Sequence, residues 1–192
     1  MSNFLYIAKQ PIFDIDEHII GYELYYRNDD EDMSLPDRRL ATASLLVNVL
    51  NQVGLHTLVG SSKAFINIDA KILLTDIIYT IPKEYFILEL NEDIQINQKE
   101  FECIKALQKE GYSFVLDNVH FDAEYIKNIT RVLPYVEYVK FDTTQTDIEY
   151  LEENIGLFKG KKLMAQKIES EYIQDAYREL GFEYFQGFHL AK

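Results

Sequence analysis

The feature that most constrains this chain is a repeated alternation of short apolar strands with helical segments, in which almost every strand ends on a polar residue. β-Branched and aromatic runs predict strands over 4–8, 19–26, 64–68, 85–90, 112–116, 136–141, 161–165 and 183–185, with Pro11 ending the first. Between them, apolar residues recur at helical spacing. Leu40, Ala43, Val47, Leu50 and Val53 predict a helix over 38–53, and further helices start near Ala70, Gln98, Asp122, Thr146 and Glu171. Asn97 with Glu100, and Thr146 with Glu149, have capping-box spacing; Gly54, Gly111 and Gly181 are helix stops. The acidic stretch 27–37, with Pro36, reads as a loop.

Strand–helix alternation calls for parallel strands joined by crossover helices. The count approaches that of a (β/α)8 barrel, an α/β fold of typically ~250 residues. At 192 residues this chain would be a trimmed TIM-type barrel, with 1–192 forming one domain. A doubly wound open sheet is the competitor, but no Gly-rich phosphate loop follows the first strand.

Composition narrows the partners. A net charge of −13 repels a nucleic-acid backbone, so polymeric DNA or RNA is not expected. A small nucleotide is still allowed, because clustered carboxylates hold divalent cations that in turn accept phosphates. No apolar run spans a bilayer, and Met1 to Gln10 carries no signal-peptide pattern, so neither membrane nor export is expected. Cys103 stands alone, which excludes an internal disulfide or a Cys-based metal site and fits a reducing cytoplasm.

The strand-end residues are Glu23, Asn67, Glu89, Asp117 with Asn118, Lys140 with Asp142, Gln166, and Gln186. In a (β/α) barrel the C-terminal strand ends converge on one face, where active sites are built. Glu23, Glu89, Asp117 and Asn67 are hard oxygen donors suited to Mg2+, Mn2+ or Ca2+, and Lys140 is placed to neutralise a phosphate or orient a water. Any one polar residue at a strand end is as readily a turn residue. Lys140 has a plain reading too, as the partner of Asp142 or Glu137, and Arg27 as a surface residue. His18, His56, His120 and His189 show no paired spacing and read as structural or exposed.

At these residues the sequence resembles the EAL domain, a family of cyclic di-GMP phosphodiesterases with a modified (β/α)8 barrel. The resemblance runs from Gln10 to Gln186. It opens with Ala8-Lys-Gln-Pro-Ile-Phe-Asp14 and Gly21-Tyr-Glu-Leu-Tyr-Tyr-Arg27, which look like the divergent branch often fused to an HDOD domain. It implies that Glu23, Asn67, Glu89 and Asp117 are metal ligands, that Arg27, Asp142 and Gln186 contact the ligand, and that Lys140 is catalytic. Two family carboxylates are replaced: Asn118 stands where the family has Asp, and Gln166 where it has the Glu of Ala-Glu-Gly-Val-Glu, here Ala165-Gln-Lys-Ile-Glu169. The Gly-containing loop after Asp117 is missing.

An amide cannot accept a proton at neutral pH, so the general-base role at Gln166 would be lost. Asn118 keeps an oxygen but loses a charge, which favours one Mg2+ or Mn2+ over two. The resemblance then implies a degenerate cyclic di-GMP signalling domain, acting as a nucleotide sensor or protein-interaction module with little turnover. The alternatives are an active metal-dependent phosphodiesterase giving the linear dinucleotide, and a scaffold that binds no nucleotide. An HDOD domain, another protein or a second copy of the chain are the partners it allows.

Overall fold

The computed structural model describes residues 6–27, 54–92 and 94–190, with the backbone alone at Tyr6, Tyr26, Arg27 and Leu55. The helix read over 38–53 and the loop over 28–37 lie outside the described residues. Eight strands close into a barrel in chain order: β1 Tyr6–Asp14, β2 Ile19–Arg27, β3 Lys63–Ile68, β4 Phe86–Leu90, β5 Ser113–Leu116, β6 Tyr138–Asp142, β7 Lys162–Gln166 and β8 Tyr184–Phe185. Strands β2 to β8 pair in parallel. The helices are α1 Leu55–Val59, α2 Ala70–Leu73, α3 Gln98–Lys109, α4 Ala123–Thr130, α5 Ile148–Asn154 and α6 Glu171–Glu179. The sequence reading of a modified, trimmed (β/α)8 barrel matches this architecture. Among the described residues no helix is long and apolar enough to cross a membrane.

The modification lies in β1, which runs antiparallel to both β2 and β8. Only residues 15–18 separate β1 from β2, too few for a crossover, so the chain makes a hairpin. Asp14 Oδ1 closes it by accepting from the Asp16 and His18 amides. Pro11 does not end the strand, contrary to the sequence reading; β1 continues to Asp14 and Pro11 pairs with Tyr22. Proline is tolerated because β1 meets β8 only at Phe13 and Asp14, so no ladder bond is required on that side of Pro11.

Side-chain alternation sorts the barrel into layers. Ile12, Phe65, Ile87, Val115, Tyr138 and Met164 form a plug inside the lower half. Two residues further along each parallel strand come Asn67, Glu89, Asp117, Lys140 and Gln166, one pleat nearer the C-terminal mouth. The intervening residues, among them Ile66, Leu88, Leu116, Val139 and Ala165, face outward into the core beneath the helices. Gly21 makes room for the plug: a Cβ there would lie 2.6 Å from the Phe65 ring.

Local signals largely set the helix ends. Asn97 Oδ1 caps α3 through the Lys99 amide, and Gly111, at φ 99°, follows its end. Glu100 does not complete a capping box; the Asn97 amide donates to Gln95 O instead, and Glu100 is buried. For α5 the cap is Asp147, not Thr146; its carboxylate accepts from the Glu149 and Tyr150 amides.

Candidate functional site

The mouth is built around Lys140. Its side chain is fully buried, and its ammonium lies 3.2 Å from Glu23 Oε2, 3.8 Å from Asp117 Oδ1 and in direct contact with Glu89 Oε1. It pairs with neither Asp142 nor Glu137, which are taken by Lys167 and Lys162. The alternation along β6 explains this: Lys140 and Asp142 point the same way, but one pleat apart in depth. Asn67 Nδ2 donates to Glu23 Oε1 (3.1 Å) and Glu89 Oε2 (3.2 Å), so each glutamate shares one oxygen with the ammonium and the other with the amide.

On the opposite side, Gln166 Nε2 donates to Asp117 Oδ1 at 3.2 Å and to Asn118 Oδ1. Asn118 sits at φ 49°, in the left-handed region that Asn tolerates better than most residues. Gln186, almost fully buried, donates through Nε2 to Glu23 Oε2 (2.8 Å) and Gln10 Oε1 (3.2 Å), while its own Oε1 has no partner among the described residues. Gly187 brings it there: its Cα packs on the Ile168 backbone so closely that a Cβ would lie 2.2 Å from Ile168 O.

Asp142 is held apart from the central cluster. Its Oδ1 accepts from the Thr144 amide (2.9 Å) and hydroxyl (2.7 Å), and its Oδ2 from Gln145 Nε2 (2.9 Å) and Lys167 Nζ (2.6 Å). Arg27 is the last residue of β2, and its side chain lies outside the described residues. Of the residues singled out in the sequence, the barrel therefore gathers Glu23, Asn67, Glu89, Asp117, Asn118, Lys140, Gln166 and Gln186 into one network, with Asp142 at its rim.

The electrostatics of the network are unbalanced. Three carboxylates share one ammonium in a dry place, where surplus charge is costly. Burial and the neighbouring Glu23 charge push Glu89 well above the usual carboxylate range, against the pull of Lys140. Burial likewise raises Asp117 despite Lys140. Burial also acts to raise Glu23, but Lys140 and hydrogen bonds from Gln186 and Asn67 outweigh it and hold the carboxyl low. Lys140 moves up, because the attraction of Glu23, Glu89 and Asp117 outweighs its own burial. A hard divalent cation fits this chemistry: Glu23, Asn67, Glu89 and Asp117 are oxygen donors, and the carboxylates carry more negative charge than Lys140 offsets.

Two members of the site were not singled out in the sequence. Gln10 lies on β1 opposite Glu23; because β1 is antiparallel, its interior rather than its end reaches the mouth, and a strand-end rule misses it. Lys167 directly follows Gln166, at a position to which the sequence attaches no role of its own. Among the described residues, the acidic or imidazole trio with ligand atoms within 4.8 Å of one another lies elsewhere, at Asp14, Asp16 and His18. Those residues form the β1–β2 turn, where Asp14 is engaged by backbone amides.

Comparison with known proteins agrees with this geometry. No family model matches the chain. A curated relative, the cyclic di-GMP phosphodiesterase CdgJ of Vibrio cholerae, is 31% identical over 194 residues, covering 97% of this chain and 44% of the relative. The chain spans less than half the length of the curated relatives it matches. Among solved structures, the PaMucR phosphodiesterase in complex with c-di-GMP superposes with a TM-score of 0.77 at 17% identity, covering 98% of this chain and 96% of that one. Bacillus subtilis YkuI, with an EAL domain and in complex with c-di-GMP and calcium, gives 0.72 at 17% identity, covering 98% of this chain and 55% of that one. The fold is thus that of an EAL-type barrel. In sequence the chain is similar to the Vibrio phosphodiesterase, and in fold to EAL-domain structures, from which it diverges to 17% identity.

Proposed function

We propose that this barrel is a cyclic di-GMP signalling domain that binds the dinucleotide at its mouth and turns it over slowly or not at all. The observation that carries the reading is the position of Gln166. Its amide ties Asp117 to Asn118, at the position where the EAL resemblance implies a proton-accepting Glu. A carboxamide donates hydrogen bonds there but takes no proton from a water at neutral pH.

In this reading Glu23, Asn67, Glu89 and Asp117 hold one Mg2+ or Mn2+. Such a cation, when bound, supplies charge for a phosphate and acidifies a water. Lys140 keeps the carboxylates from repelling one another and fixes their orientation. Gln186 steadies Glu23, and its oxygen, without a partner among the described residues, is available to accept from a ligand. Arg27 and Asp142 complete the ligand contacts at the rim. Residues 1–192 act as one cytoplasmic barrel domain, read out by a protein partner such as an HDOD domain or by a second copy.

A second reading, a working phosphodiesterase, is favoured by one observation: Glu23, Asn67, Glu89, Asp117 and Lys140 converge with their hydrogen bonds intact. The name of the Vibrio relative carries that activity as well. Restoration separates the two. The double variant Gln166→Glu, Asn118→Asp should raise production of linear dinucleotide in Mn2+ by about 100-fold or more, the usual contribution of a positioned acid–base group. Wild-type turnover that the substitutions leave unchanged would favour the working enzyme.

A further inference from the structure

We propose that Lys167 is a phosphate contact of the mouth, parked on Asp142 when no ligand is bound; the proposal rests on the nucleotide-binding reading above. Lys167 follows Gln166 directly at the end of β7. Its backbone is fixed: φ is 61°, in the left-handed region, and its carbonyl accepts from Thr143 Oγ1 at 3.0 Å. The origin of the side chain is thereby set at the mouth. From there the ammonium reaches Asp142 Oδ2 at 2.6 Å, yet the lysine side chain is 54% exposed while that of Asp142 is only 4% exposed. The pair thus has one dry member and one that faces solvent.

Asp142 can release this partner. It already accepts three other hydrogen bonds, from Thr144 N, Thr144 Oγ1 and Gln145 Nε2, so departure of the ammonium leaves no bare carboxylate. Beside Arg27, whose side chain lies outside the described residues, a second cation facing outward would serve the mouth. Lys140 is enclosed among Glu23, Glu89 and Asp117 and cannot follow a ligand. A dianionic dinucleotide approaching those carboxylates, on a protein of net charge −13, meets repulsion that a solvent-facing ammonium offsets. Lysine suits the task, as a compact charge on a flexible stem that swings between two acceptors.

The test is calorimetric titration of cyclic di-GMP into wild type, Lys167→Met and Lys167→Arg, with Ca2+ present, at low and at raised salt. Thermal unfolding of each ligand-free protein runs alongside. The proposal predicts that Lys167→Met weakens binding about tenfold at low salt, equivalent to one lost charge contact. The gap from wild type should narrow as salt screens the contact, and Lys167→Arg should stay near wild type. Equal affinity and equal salt dependence in Lys167→Met would overturn the proposal while leaving the mouth a nucleotide site. Loss of binding in both variants together with lowered unfolding temperatures would overturn it in favour of a latch between the two loops. A wild type that binds no dinucleotide would sink the reading beneath it as well.

Discussion

Replacing Lys140 with methionine tests the electrostatic account of the mouth. The substitution keeps the length and packing of the stem and removes the ammonium. Glu23, Glu89 and Asp117 are then left facing one another, with Asn67, Gln186 and Gln166 as donors but no cation. Breaking a buried ion pair from one side costs about 3–5 kcal/mol, because the surviving charge stays desolvated and unpaired. For a chain of this size each kcal/mol moves the melting temperature by about 2–4 °C, so the fall should be about 6–20 °C. Differential scanning calorimetry in EDTA measures it. The companion variant Lys140→Met, Glu89→Gln removes one charge of the same cluster and should recover half or more of the loss. This non-additivity marks direct coupling. A Lys140→Met protein as stable as wild type, or a double variant whose losses simply add, would refute the claim that Lys140 holds the carboxylates together.

Gly187→Ala should destabilise the protein by about 1–3 kcal/mol, as overpacking does, because the new Cβ meets the Ile168 backbone at 2.2 Å and the Gln186–Ile168 hydrogen bond must shift; urea unfolding reads it, and an unchanged midpoint would contradict the close approach. Asp142 gives a pH prediction. Burial acts to raise its carboxyl, but the Lys167 and Thr144 hydrogen bonds outweigh it and hold the folded value below the ordinary one. A lowered carboxyl contributes stability that is present above about pH 3.9, its unfolded value, and is lost as pH falls through the folded value. The difference in unfolding free energy between wild type and Asp142→Asn should therefore shrink as pH is lowered below about 4; a constant difference would show that Asp142 is not stabilised as an anion.

Much of the fold was legible because the barrel repeats one pattern. In β3, β4, β5, β6 and β7 an inward apolar residue is followed two positions later by an inward polar one, as in Phe65 and Asn67 or Ile87 and Glu89. A period of two fixes both the layer and the face. The site followed from the same regularity, since parallel strands all end on one face. What escaped the sequence breaks that regularity. Pro11 looked like a terminator because its missing donor is penalised only where a neighbour needs it, and β8 is too short to need it. Gln10 was missed because a four-residue hairpin turns β1 over and brings the middle of the strand to the mouth. The helix caps slipped by one residue at Thr146 because Asp147, a stronger acceptor, stands next to it. Lys140 has two plausible partners nearby in sequence, Asp142 and Glu137, and uses neither; its partners come from β2, β4 and the end of β5, a register that only barrel closure determines.

The most direct test of the central claim is calorimetric titration of the purified chain with cyclic di-GMP, first in Ca2+ and then in EDTA. Saturable binding in Ca2+ that weakens sharply in EDTA is the predicted result, since the oxygen donors at the mouth would hold the cation that meets the phosphates. Absence of binding in both buffers would contradict the account and leave an EAL-type barrel whose mouth serves another purpose.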